Sequence, residues 1–168
     1  YKNFHSNIDK IMYSKNSNYT KEDKNRSNLY RQEFKRKKEK SKFINFDNYI
    51  KNLQINIRVR INSKSNIPRL SQLSLRTNQF NSSSARLSEK DVKKLINDKD
   101  QLIYQCEATD KFGDYGIIGM SIIDLKNGKS KMQSFIMSCR ALGREIEKYF
   151  FNFIRNNFKK KKYKKIIV

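Results

Sequence analysis

The chain has 168 residues and a formal charge of +22, with 36% apolar and 32% charged residues. That length supports one domain or a domain with an extension, and a chain of this size hides roughly 70% of its unfolded surface on folding. No run of about 18 apolar residues offers a membrane span, no N-terminal stretch has the pattern of a signal peptide, and two cysteines are too few for a disulfide framework or a four-ligand zinc site.

A cytoplasmic protein without metal is expected. The charge, with a pI near 10.1, points to an anionic partner. It also has a plainer source. Lys, Asn, Ile, Tyr and Phe make up just over half of the chain, the mark of AT-rich coding. Lys outnumbers Arg 27 to 11, whereas phosphate recognition favours Arg.

Residues 1–19 are polar and without period. Thr20-Lys21-Glu22-Asp23 has capping-box spacing, and a charged helix is expected from there to about Lys42. Its segment Lys35–Lys42 carries six basic residues in eight, a solvated face or a nucleic-acid surface. Phe43–Leu53 has helical spacing. Gln54–Ile61 alternates, with Ile55, Ile57, Val59 and Ile61 on one face, and reads as a half-buried strand.

Ile67–Phe80 is a helix candidate with Pro68 in its first turn and Leu70, Leu73 and Thr77 on its apolar face. Ser88-Glu89-Lys90-Asp91 repeats the capping pattern before a short amphipathic helix. Leu102–Thr109, Ile117–Leu125 and Lys131–Ser138 read as strands, joined by turns at Asp110–Gly116 and Asn127-Gly128. A long helix is expected over Leu142–Lys161, with Ile146, Tyr149, Phe150, Phe153 and Ile154 buried. A last strand begins near Lys164. This order gives an α+β domain with a mostly antiparallel sheet and a long central helix.

The order is similar to that of the GNAT (acyl-CoA N-acyltransferase) fold up to its fifth strand. Three segments carry a further resemblance: Thr77-Asn78-Gln79-Phe80-Asn81, Asp110-Lys111-Phe112-Gly113-Asp114-Tyr115-Gly116, and Ser138-Cys139-Arg140-Ala141-Leu142-Gly143-Arg144. In this order and spacing they strongly resemble the FkbH-like family, from about Thr20 to Asn152. The resemblance implies a phosphatase domain of the haloacid-dehalogenase type followed by a GNAT-like domain. Together they move a glyceryl-type group onto an acyl carrier protein. On that footing residues 1–53 are the connector from a phosphatase domain outside this chain, and 54–168 are a GNAT-like domain cut at its C-terminus. Asp98-Lys99-Asp100 lacks the Thr or Val of a phosphatase motif and follows a helical pattern, so it reads as a turn.

The resemblance also implies site residues. GNAT enzymes carry Arg/Gln-x-x-Gly-x-Gly/Ala ahead of a helix, and Arg140, Leu142, Gly143 and Arg144 fall in that segment. N–H groups at a helix start hold phosphate, so coenzyme A or a carrier's phosphopantetheine arm is the expected cofactor. The last position is Glu145, where the family has a small residue. A carboxylate about 6 Å from a phosphate costs roughly 3 kcal/mol at an effective dielectric of 20. The plain alternative is a well-capped helix.

Cys139, at a strand end and beside a helix start, is a candidate nucleophile for acyl relay or an inert packing residue. Asn78, Gln79 and Asn81 are candidates to bind acyl hydroxyls, Asn78 also as a catalytic group, or simply a helix C-cap and turn. Asp110 and Asp114, which flank a hairpin turn, are candidate bases or turn residues. Two functional readings follow: an acyltransferase-type domain serving an acyl carrier protein, or a basic nucleic-acid or non-catalytic docking module. No RNA- or DNA-binding signature supports the second.

Overall fold

The computed structural model describes residues 25–126, 130–160 and 166–167. Two helices come first, α1 (Arg26–Lys40) and α2 (Phe46–Leu53). Strand β1 (Asn56–Ile61) leads through a short 3-10 turn into α3 (Ile67–Arg76) and α4 (Glu89–Asn97). A meander of β2 (Gln101–Asp110), β3 (Gly113–Asp124) and β4 (Ser130–Met137) follows, then α5 (Ile146–Lys160) and β5 (Ile166–Ile167). The capping pattern at Thr20 and the Asn127-Gly128 turn lie outside the described residues.

The sheet order is β1-β2-β3-β4-β5, antiparallel except for the parallel β4–β5 pair. Both faces of the sheet are covered, which explains why β3 is apolar almost continuously from Ile117 to Ile123 rather than alternating. On one face α5 lays Ile146, Phe150, Ile154 and Phe158 over Tyr104, Cys106, Ile118, Ile123 and Met137. On the other, Leu70, Leu73, Val92 and Ile96 of α3 and α4 cover Ile103, Met120, Ile122 and Ile136. Each fully buried Leu, Ile or Phe side chain contributes about 1.5–3 kcal/mol. α5 comes so close at Gly119 that an added Cβ would stand 3.2 Å from a Phe150 ring carbon and 2.5 Å from Met137 Sδ.

Local signals mark several boundaries. Ser88 Oγ accepts from Asp91 N while Asp91 Oδ2 accepts from Ser88 N, the reciprocal capping expected of that sequence. Pro68 sits in the first turn of α3. Asp98 ends α4 and its carboxylate accepts from Asp100 N at 2.9 Å, so the Asp98–Asp100 segment is a turn. The alternation of β1 holds for Ile57 and Val59, which pack on the core, whereas Ile61 is exposed.

Three expectations need correction. The long helix starts at Ile146, not Leu142, because Gly143 (φ 72°) and Glu145 (φ 62°) take left-handed backbone that no helix accommodates. Its buried stripe runs Ile146, Phe150, Ile154, Phe158, and Tyr149 faces solvent. The Asp110–Gly116 turn shrinks to Lys111–Phe112, since Gly113 and Gly116 already pair within β3 opposite Asp110 and Ala108.

Candidate functional site

The C-terminal end of β4 gathers two of the singled-out segments. Among the described residues β5 pairs with Ser130 and Lys131, at the start of β4. Farther along the same edge, residues Phe80–Ser82 run alongside the strand. Ser82 N donates to Phe135 O at 3.1 Å and Met137 N donates to Phe80 O at 2.9 Å. Ser82 Oγ accepts from Phe135 N at 2.9 Å, and Asn81 bridges Ile136. The chain's own loop therefore covers the β4 edge at Phe135–Met137.

Within that loop each amide has a structural partner or faces solvent. Asn78 Oδ1 accepts from Arg86, whose guanidinium also caps α3 by donating to the carbonyls of Ser74 (2.6 Å) and Leu75 (2.8 Å). Asn81 Nδ2 donates to Ala85 O at 3.2 Å. Gln79 is exposed.

The turn between β4 and α5 carries the second segment. Cys139 is exposed and Arg140 is partly buried. Ala141 is buried and Leu142 packs against the core. Nothing lies within 4 Å of a Cβ built on Gly143, so its backbone is open to close approach. Glu145 pairs with Lys148 at 2.6 Å on the surface. The N–H groups of Leu142–Arg144 precede the helix rather than forming its first turn.

Arg144 has a different task from the phosphate contact expected of it. It is buried, its Nη2 meets Glu33 of α1 at 2.6 Å, and Nη1 donates to the Arg140 carbonyl. The third segment joins the same cluster. Asp110, whose side chain is fully buried, accepts two hydrogen bonds from Arg36 of α1 (2.7 and 2.9 Å), one from Tyr115 Oη (2.6 Å), and those from Phe112 N and Gly113 N. Arg36 lies 3.8 Å above the Tyr115 ring. Burial pushes the Asp110 carboxyl up, but the donors, Arg36 first, outweigh it and hold it below the usual carboxylate range. These motif residues latch α1 onto the β2–β3 turn and the pre-α5 turn. Asp114 is exposed and accepts from Gly116 N at 2.7 Å, the role of a turn residue.

The concave feature at this end is a groove of about 490 Å³ between β4, the Phe80–Ser82 loop and the first turns of α5. Met132, Phe135, Phe80 and Phe151 give it apolar walls, with Gln133, Ser82, Glu147 and Lys148 as its polar groups. Its floor is irregular. Ile122 pairs with Ser134 and Ile123 with Met132, so Gln133 is the extra residue of a β-bulge, a device that disrupts the ladder and re-aims side chains. Glu147 Oε2 is buried, and no hydrogen-bond donor reaches it among the described residues. Of these groove residues the sequence reading singled out only Phe80, as a member of the Thr77–Asn81 segment. Glu147 also had a signal, a carboxylate in the turn after the glycine-containing segment. Among the described residues no group of three or more His, Cys, Asp or Glu side chains is placed to hold a metal.

No family model matches this chain, and no curated protein matches it. Solved structures are similar to it. A domain from Methanocaldococcus jannaschii DSM 2661 superposes with a TM-score of 0.51 at 13% identity, covering 67% of this chain and 76% of that one. The ribosomal-protein-S18-alanine N-acetyltransferase from Escherichia coli gives a TM-score of 0.48 at 11% identity over 64% of this chain and 61% of the enzyme. The ribosomal-protein-alanine N-acetyltransferase from Brucella melitensis biovar Abortus 2308 gives 0.49 at 11% identity, covering 67% and 77%. The chain thus spans under two thirds of the Escherichia coli enzyme. At such identities the likeness is one of fold, and the fold is α+β: four helix-covered antiparallel strands and a parallel partner beside β4.

Proposed function

We propose that this chain is an acyltransferase-type domain whose β4–α5 groove takes the thioester arm of an acyl carrier. The observation that carries the reading is a partly buried carboxylate, Glu147, whose Oε2 has no donor among the described residues, in an aromatic-walled groove beside a strand bulge. An unpaired buried oxygen costs about 1–3 kcal/mol; Glu33 Oε2 shares that state inside the α1 latch, whereas Glu147 Oε2 has it in the lining of a groove. A carboxylate left there without a donor is suited to receive a proton from a substrate.

The groove's residues fit a neutral pantetheine arm. Phe80, Phe135, Phe151 and Met132 suit its methylene and dimethyl parts, and Gln133 and Ser82 suit its amides. They fit the pyrophosphate of free coenzyme A less well. Arg144 is held by Glu33, and Glu145 stands at the small-residue position of the expected loop. A single carrier phosphodiester brings fewer negative charges to Glu145 than a pyrophosphate, so a carrier-borne arm is the preferred donor. When bound, the arm supplies an acyl group activated as a thioester.

The chain's own residues then do the following. Glu147 accepts the proton of an acceptor hydroxyl or amine as the acceptor bonds the acyl carbon, and returns it to the thiolate released when the C–S bond breaks, while the aromatic walls exclude water. Cys139 is exposed and outside the groove's lining, so a direct transfer needs no relay through it. The FkbH-like resemblance supports a glyceryl-type acyl group and a phosphatase domain acting upstream.

The test is thiol release from S-acetyl-pantetheine with hydroxylamine as acceptor. General-base action contributes about 10²–10⁴-fold, so Glu147→Gln should lower turnover at least a hundredfold while leaving thioester binding within about twofold. Gln133→Trp, at an exposed position of the bulge, should block binding. Turnover by the parent equal to that of Glu147→Gln would refute the proposal.

A further inference from the structure

We infer that the outward face of α1 is a docking surface for an acidic protein domain, the body that carries the arm; this rests on the reading of the groove as an arm site. Tyr30 and Phe34, one helical turn apart, are 65% and 70% exposed. Arg26, whose guanidinium lies 5.9 Å from the Tyr30 ring centroid, Arg31, Lys37 and Lys38 surround them. Both acids of the helix turn elsewhere. Glu33 bonds Arg144, and Glu39 bonds Lys111 and Lys42 at 2.9 Å each. Among the described residues the outward face therefore has an apolar aromatic centre and a basic rim, with neither carboxylate of α1 turned to it.

An aromatic centre with a charged rim is the anatomy of a protein interface, and exposed aromatics of this kind become its anchors. The basic rim of Arg31, Lys37 and Lys38 selects a partner rich in Asp and Glu. Nucleic acid fits less well, since Arg36, the one arginine of the Lys35–Lys42 run, points inward to Asp110 with 2% exposure. The face is also rigidly mounted, because the opposite side of α1 is fixed by the Arg36–Asp110 and Glu33–Arg144 pairs.

Position supplies the rest. Glu33 touches Arg144, which follows the open Gly143 backbone, and Glu147 of the groove lies three residues farther on. A domain seated on α1 stands beside the turn through which its arm would reach the groove. A ligand with a body and an arm thus finds two adjoining surfaces, one basic and aromatic, one apolar and narrow.

The experiment uses the full chain and an acidic acyl carrier protein, with and without its phosphopantetheine arm, at several salt concentrations. Both carrier forms are expected to bind. Tyr30→Ser with Phe34→Ser should weaken both by at least tenfold, and Arg31→Glu with Lys38→Glu should slow association and flatten the salt dependence. Binding of S-acetyl-pantetheine should be unchanged in these variants. Because the four positions are exposed, the melting temperature should not move.

The inference is overturned if the armless carrier does not bind the parent, if the aromatic variants bind it unchanged, or if single-stranded RNA binds as tightly and loses affinity in the same variants. Failure of the groove reading has a different signature: the thioester does not bind, yet the armless carrier still docks and still depends on Tyr30 and Phe34.

Discussion

Replacing Asp110 with Asn keeps the size of the side chain and removes the charge that Arg36 faces. Both side chains are buried, with 0% and 2% exposure, and the carboxylate accepts from Arg36, Tyr115 and two backbone N–H groups. The amide would turn an NH₂ group toward donors and leave the guanidinium without its counter-ion. Breaking a buried ion pair from one side costs about 3–5 kcal/mol, a large part of the 5–15 kcal/mol typical of a domain. For a chain of this size that is roughly 6–20 °C in Tm. Calorimetry or urea unfolding of parent, Asp110→Asn, Arg36→Met and the double variant is the assay. The two losses should be strongly non-additive, with a coupling of up to about 3 kcal/mol, because the double variant leaves no lone charge. The pH dependence gives a second readout. The folded carboxyl titrates below its unfolded value, so the unfolded chain binds this proton first. The pair's stability is present above the ordinary carboxylate range and lost as pH falls through the lowered folded value. Asp110→Asn should lack that part of the acid limb. A Tm change under about 3 °C, or simple additivity, would refute the latch.

Three further outcomes follow from the geometry. Gly143→Ala meets no atom within 4 Å and should cost only the left-handed backbone strain, about 1–2 kcal/mol, while Gly119→Ala drives a methyl toward Met137 and Phe150 and should cost about 1–3 kcal/mol by overpacking, with a change in near-UV circular dichroism. Glu145→Gly removes a like charge beside the pre-α5 turn and should tighten free coenzyme A by no more than roughly fivefold in calorimetric titration. Of the two thiols, exposed Cys139 should react with a disulfide reagent at neutral pH in the folded state, whereas Cys106, buried in the core and pushed up to about 12 by that burial, should react only on unfolding.

What sequence could reveal here was local. Ser88 and Asp91 lie three residues apart, Pro68 marks a first turn, and the Ile57–Val59 alternation needs only period 2. The fold class followed from the order of such segments. What depended on partners far along the chain stayed hidden. Arg36 looks like one more member of a basic run until Asp110, 74 residues away, closes on it, and Arg144 looks like a phosphate ligand until Glu33, 111 residues away, takes it. The start of α5 was misplaced because Glu145 adopts positive φ without the glycine that usually announces it. The bulge at Gln133 is a property of the β3–β4 register rather than of any residue type. The groove was invisible for the same reason, since strand, loop and helix each supply only part of it.

The central claim is that the β4–α5 groove holds a thioester arm. Amide chemical shifts of the full chain, followed as S-acetyl-pantetheine is added, test it most directly. Gln133, Ser82, Glu147, Lys148 and Phe151 are expected to shift together, saturably and at moderate salt, and to stay still in Gln133→Trp. Silence at these amides, or shifts spread over the lysine-rich surface that vanish with salt, would contradict it.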